Sequence, residues 1–195
     1  MNTPTNRLEI LAPLSGVLIP LESVPDPVFA QKLVGDGVSL DPTSCDLLAP
    51  VAGTITQLHR ANHALTITTE QGLEVLLHIG IDTVTLKGEG FTPKVKQGDH
   101  VDIGQVLISF DGDLVARKAR SLLSQVLIAN VEKVARFIPG SGIAIAGKSV
   151  ILTLELAGTE TAVNIEATTG APVTGGDVLL PNTSGLHARP AALLA

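Results

Sequence analysis

Apolar residues fall in short runs along this chain, each closed within a few positions by glycine, proline or a polar cluster. "GVLIPL" (16–21), "ALTITT" (64–69), "LEVLLHIGI" (73–81) and "QVLISF" (105–110) have the length and branched-residue content of strands. In "VKQGDHVDIGQVLISFD" (95–111), Gly98-Asp99 and Ile103-Gly104 mark turns between short strands. The sustained helical pattern in the body is "LVARKARSLLSQVLIAN" (114–130), whose second half is expected to turn back to strand. Many short strands with frequent turns predict an all-β antiparallel sandwich or barrel with short helical turns. One internal echo supports this: "LAPLSGVLIPL" (11–21) and "LAPVAGTITQL" (48–58) share Leu, Ala, Pro, Gly and Leu at matching places. Two copies of a strand–turn unit packed face to face would explain it.

The pattern changes after Leu156. Residues 157–176, "AGTETAVNIEATTGAPVTGG", are rich in Thr, Ala and Gly without an apolar period, and they read as a linker. "DVLLP" (177–181) reads as a new strand, and "NTSGLHARPAALLA" (182–195) as a loop and the start of a helix. Pro190 falls in that helix's first turn, where proline is tolerated, and Ala191 to Ala195 are strong helix formers. His187 stands at or beside the N-cap with Arg189 close behind, an arrangement suited to a bound anion.

Composition narrows the function. The chain of 195 residues is 45% hydrophobic, so it can bury a core, yet it has four Phe and no Tyr or Trp. An aliphatic interior without exposed aromatics is poorly suited to stacking on nucleic-acid bases. A net charge of −6 with no basic run argues against nucleic acid and anionic membrane alike. The single cysteine, Cys45, fits a reducing compartment. The N-terminus lacks the long apolar stretch of a signal peptide, and no run reaches the roughly 18 apolar residues of a membrane span. A cytoplasmic protein without membrane insertion is expected.

Of the five histidines, His59 and His100 lie beside turns in polar company and read as surface residues. His63 and His78 flank the turn at "EQG" (70–72), so their segment reads as a β-hairpin. A two- or four-residue loop sets the two histidines directly opposite, with Cβ atoms about 4.5–5.5 Å apart. A three-residue loop with Gly72 in a bulge slips the register by one and sends them to opposite faces, unless a second irregularity restores them. Paired imidazoles suit a metal site that needs a third ligand, or a nucleophile and a helper for phosphoryl transfer. They also occur as half-buried histidines bonded to backbone. Asp82 follows His78 beyond Gly80 and could orient a partner's cation, while Asp36 in "GDG" (35–37) matters only if the fold brings it near.

Residues 8–156 closely resemble the glucose-type enzyme IIA (EIIA) domain of the bacterial phosphoenolpyruvate-dependent sugar phosphotransferase system. The resemblance rests on "EILAPLSGVLIPLESVPDPVFAQKLVGDGVSLDPT", "LLAPVAGTITQLHRANHALTI" and "LHIGIDTVTLKGEGF". The tail, "LLPNTSGLHARPAALLA", resembles the start of HPr, the system's small phosphocarrier. Together these imply an EIIA domain at 1–156, a flexible linker at 157–176 and an N-terminal HPr fragment at 177–195, the front of a multiphosphoryl transfer fusion. Roughly twenty residues cannot bury a core of their own, so that fragment is not expected to work alone. The resemblance also implies an antiparallel β-sandwich and the juxtaposition of the two histidines.

Carried over residue by residue, the resemblance makes His78 the phosphorylated residue and His63 the neighbour that hydrogen-bonds the phosphoryl group. Asp36 and Asp82 become the acidic rim that meets HPr's arginine, matched here by Arg189, and His187 becomes the HPr nucleophile. The implied activity is phosphotransfer through phosphohistidine, with no cofactor and no metal. The implied partners are HPr or the fused HPr portion, an EIIB domain of a sugar permease and, indirectly, enzyme I. A regulatory module switched by phosphorylation is the nearest alternative. A zinc barrel hydrolase is a distant one, since its further H-x-H pair is missing. One departure concerns Ala61, where many relatives carry a threonine whose hydroxyl orients the helper histidine.

Overall fold

The computed structural model describes residues 7–157, and the expected strand at 177–181, His187 and Arg189 lie outside them. The described strands are β1 (Arg7–Leu11), β2 (Gly16–Pro20), β3 (Asp36–Pro42), β4 (Asp46–Leu48), β5 (Gly53–Leu58), β6 (Ala64–Thr68) and β7 (Glu74–His78). They continue with β8 (Phe91–Pro93), β9 (His100–Val101), β10 (Val106–Phe110), β11 (Ser124–Ile128), β12 (Val134–Pro139), β13 (Ile143–Ala144) and β14 (Val150–Leu156). An eight-stranded sheet runs in the order β13-β2-β3-β11-β7-β6-β5-β9, and two three-stranded sheets run β1-β14-β12 and β4-β10-β8. The ladders among them are antiparallel, as the strand pattern predicts.

One aliphatic core joins the three sheets. Leu40, Ile55, Leu65, Ile67, Val75, Leu77, Val126 and Ile128 enter it from the large sheet, Leu47, Leu107 and Ile108 from one small sheet, and Ile10, Ile151 and Leu154 from the other. With so few aromatic rings available, burial of branched aliphatic side chains carries the hydrophobic stabilisation.

The repeated Leu-Ala-Pro segment is visible as paired structure. Each copy leads from a three-stranded sheet into the large one: β1 to β2, and β4 to β5. The two turns clasp each other, with the Leu11 N–H donating to the Pro50 carbonyl at 3.1 Å and the Leu48 N–H to that of Pro13 at 2.9 Å. Their outer bonds also correspond. Ala12 donates to Ser149 O and accepts from the Gly147 N–H, both at 2.8 Å, while Ala49 donates to Gln105 O at 2.8 Å and accepts from the Gly104 N–H at 2.9 Å. Both alanines are fully buried, so these backbone groups have no water to turn to and must find each other.

The helical pattern from residue 114 is realised only in its first part. Helix α2 covers Gly112–Lys118, capped by the Asp111 carboxylate, which accepts from the Leu114 N–H at 2.9 Å. Arg117 and Lys118 occupy its last turn, where cations suit the helix dipole. The apolar continuation is drawn into β11, which lies between β3 and β7 and is buried along its length. A slot in mid-sheet overrides local helix propensity there. Leu77, fully buried on the core side of β7, gives a direct test of this packing. Leu77→Ala is expected to cost about 2–5 kcal/mol, read from the urea midpoint; a loss below ~1 kcal/mol would mean that the core does not hold β7 in place.

Candidate active site

Alternation along β7 sends Val75 and Leu77 into the main core and Leu76 and His78 to the other face of the sheet. That face carries a second, smaller cluster of Leu21, Val24, Phe29, Ile81 and Leu127. Its lid is the segment around helix α1 (Pro27–Ala30). Asp26 caps this helix by accepting the Val28 N–H at 2.8 Å, with Pro27 at the first helical position. Phe29 is thereby buried and meets the His78 ring edge-on, at 5.2 Å between centroids.

Beyond His78 the chain folds back through Gly80, whose φ is +70°. The Gly80 carbonyl lies 2.8 Å from His78 Nδ1. A carbonyl can only accept, so Nδ1 carries the proton and Nε2 keeps its lone pair. Only glycine suits this corner, because a Cβ there would stand 2.6 Å from Thr83 Cγ2 and 2.9 Å from the Ser121 carbonyl oxygen. Thr83 steadies the turn by donating from Oγ1 to Ile79 O at 2.7 Å.

The hairpin takes the slipped register. Gly72 adopts φ +74°, Thr69 and Leu73 close the loop, and His78 pairs with Ala64 rather than with His63. The directly opposed pairing of the two histidines is therefore corrected. They meet all the same, with ring centroids 4.9 Å apart and planes at 80°. His63 precedes β6 in a bend that follows Asn62, a left-handed residue with φ +54°, so strand alternation does not fix its direction. Its carbonyl still accepts the Ile79 N–H at 2.8 Å, while its ring turns toward His78.

His63 is only 3% exposed, and burial, with the nearby His78 and His59 rings, pushes its pKa down to about 4. Its Nδ1 is buried and accepts or donates no hydrogen bond among the described residues; residue 61 offers a methyl group, and the Ala61 backbone favours the charged ring only weakly. His78 is also held below the usual histidine range, chiefly by burial, against an opposing effect of its bond to Gly80. At neutral pH both rings are thus uncharged, and the Nε2 lone pair of His78 is free.

Asp82 is exposed at φ +60° just beyond the Gly80 corner and makes no ion pair among the described residues. Asp36 opens β3, which β11 separates from β7 in the large sheet. It leaves β3 on the opposite pleat from Ser39, the residue in line with Gln125 and His78, and it is held by Lys32 at 3.0 Å, which also binds Glu22 at 2.9 Å. There it lines a separate cavity of about 290 Å³ with Leu18, Phe137 and Leu152. Asp26 is the carboxylate close enough to favour a charged His78. Its signature, an aspartate followed by proline at a helix start, was available in the sequence but carries no hint of the long-range contact. His59, though exposed, has its ring 5.5 Å from that of His63 and is part of the cluster. No group of three or more His, Cys, Asp or Glu side chains among the described residues has the geometry to hold a metal ion.

A neutral histidine pair, one ring with a fixed proton and a free nitrogen, set in an antiparallel sandwich, defines a protein able to carry a group on a ring nitrogen. Comparison with known proteins gives the family. The family described as phosphoenolpyruvate-dependent sugar phosphotransferase system, EIIA 1, matches residues 8–134. The chain is 46% identical over 150 residues to the PTS system glucose-specific EIIA component of Buchnera aphidicola subsp. Acyrthosiphon pisum, covering 77% of this chain and 93% of that protein. The corresponding protein of Halalkalibacterium halodurans is 45% identical over 150 residues, 76% of this chain and 87% of its own. The solved glucose permease IIA from Mycoplasma capricolum aligns with a TM-score of 0.72 at 36% identity, covering 78% of this chain and 99% of that one. The chain belongs to the EIIA family of the sugar phosphotransferase system.

The depressed pKa of His63 sets a pH dependence. Between about pH 4 and the ordinary value of 6.5 the unfolded chain binds more protons than the folded one, so stability is complete above this window and is lost as pH falls through it. His63→Gln is expected to flatten the rise of the urea midpoint between pH 4 and 6.5. A slope as steep as the parent's would show that His63 is not kept neutral by burial.

Proposed function

We propose that this chain carries phosphoryl groups on His78 Nε2, taking them from phosphorylated HPr and passing them to an EIIB domain of a sugar permease. The observation that supports this most directly is the bond between His78 Nδ1–H and the Gly80 carbonyl, which leaves Nε2 as the free nucleophile. His63, neutral at working pH, puts no positive charge against the His78 ring and can donate a ring N–H to the phosphoryl oxygens. Positioning and charge stabilisation are what phosphoryl transfer mainly requires. Asp82 and Asp36, the acidic rim that the resemblance implies, and Asp26 beside His78 suit the basic residues of a phosphate-carrying partner. Enzyme I takes part indirectly, as the source of phosphorylated HPr.

Residues 177–195 are read as the beginning of an HPr portion joined through a linker at 157–176, with His187 as its nucleophile and Arg189 beside it. A tethered donor would act at an effective concentration of order mM. A cytoplasmic location goes with this reading, and among the described residues no helix is long and apolar enough to cross a membrane.

The test is phosphoryl uptake from separately prepared phosphorylated HPr, with mass spectrometry locating the label. Acid-labile label is expected on His78 and absent from His78→Gln. His63→Gln is expected to retain label while onward transfer to EIIB slows by roughly 10²–10³-fold, the usual loss for one donor to a transferring group. An unlabelled parent, or label on another described histidine, would overturn the proposal.

A further inference from the structure

Beside His78 on the large sheet stands a residue that the mechanism above does not use. Gln125, on β11, is directly opposite His78 in the ladder, so the two side chains rise from the same face. Gln125 is 1% exposed. Its amide nitrogen donates to the Leu123 carbonyl at 2.6 Å, and that bond decides which end of the carboxamide is which. The oxygen, Oε1, is turned away from Leu123 and is buried with no hydrogen-bond partner among the described residues. The other buried side-chain atom in this condition, His63 Nδ1, belongs to the ring packed edge-on against His78. An unpaired buried acceptor is costly, and both of these orphans border the nucleophile.

Transfer changes the charge of the ring next to Gln125. As His78 Nε2 donates its lone pair to phosphorus, the bond from phosphorus to the donor nitrogen breaks and its electron pair stays with the donor. The proton on Nδ1 does not move. The ring therefore passes from neutral to cationic as the new P–N bond forms.

We propose that Gln125 is a positioning residue for this step, its Oε1 presenting the negative end of a fixed dipole to the His78 ring and, with the Gly80 carbonyl, stabilising the cation that develops. The inference rests on the carrier reading of His78. The groups that face this ring agree with it. The Gly80 carbonyl, the Gln125 carboxamide and the Asp26 carboxylate on the α1 segment all favour the charged form, whereas burial and His59 oppose it. His63, from the bend before β6, is neutral at the pH of transfer.

Gln125→Met keeps the length and burial of the side chain and removes the dipole, while Gln125→Glu replaces the dipole with a charge. Histidine-selective nitrogen NMR on the full chain reads the titration of His78, and uptake from phosphorylated HPr reads the rate. In Gln125→Met, His78 is expected to titrate at lower pH than in the parent and to accept phosphoryl about tenfold more slowly, the scale of one hydrogen bond to a charged group. In Gln125→Glu it is expected to titrate at higher pH. A methionine variant with the parent's titration and rate overturns the proposal. So does a glutamate variant whose His78 titration is unmoved, which decides the matter even where the methionine variant does not fold. A parent without label on His78 strikes the carrier reading instead, and the titrations still decide whether Gln125 acts on the ring.

Discussion

The site turns on one hydrogen bond, from His78 Nδ1–H to a carbonyl two residues further along the chain. Without it the proton is free to sit on either nitrogen, and the lone pair would stand on Nε2 only part of the time. The bond exists because Gly80 adopts a left-handed conformation at a corner crowded by Thr83 and by the Ser121 carbonyl. The same corner ends β7 at His78, whose backbone remains in the ladder. Tautomer, ring orientation and exit from the sheet are consequences of a single turn.

Around that turn the sandwich supplies a dry, aliphatic setting, and the setting does chemical work through desolvation. Burial keeps both imidazoles neutral at working pH, His63 more firmly than an isolated histidine would be. A charged His63 would withdraw basicity from its neighbour through direct repulsion, so its neutrality keeps the His78 ring basic. Phe29 meets the His78 ring as an edge-on contact and brings no competing hydrogen bond. The Gly80 carbonyl and the Gln125 carboxamide, the dipoles that reach the ring, favour positive charge on it.

Much of this was legible from the sequence, and the gaps have physical causes. Strands read from "GVLIPL", "ALTITT" and "QVLISF" correspond to β2, β6 and β10, because short apolar runs rich in branched residues and closed by turn residues leave a local trace. The histidine pair was legible as a pair, but its geometry was not. The hairpin loop set a register that separates the residues, and a left-handed Asn62 outside the strand brought the rings back together. No periodicity argument reaches a bend of that kind. Asp36 reads from "GDG" alone as part of a tight turn, and only the fold shows it opening β3 and held by Lys32. Gln125 was invisible for a different reason: it sits in an apolar run predicted to be helix before strand, and only cross-strand pairing shows what it faces.

The internal echo explains why the site lies where it does. Both Leu-Ala-Pro turns are locked by reciprocal backbone bonds, and from each a strand enters the large sheet and then leaves it through an irregular segment. After β2 that segment holds Asp26 and Phe29, and after β5 it holds His59 and His63. Asp26 follows Leu11 at the same spacing at which His63 follows Leu48. Equivalent positions in the two copies thus supply a carboxylate and an imidazole to the neighbourhood of one histidine on β7. Because the turns are clasped to each other at their base, the two segments are held against the same sheet face without having to bond to one another. Corresponding scaffolding with different residues at its ends is sufficient to turn a symmetric frame into an asymmetric site, in which one arm brings Phe29 against the His78 ring and the other brings His63.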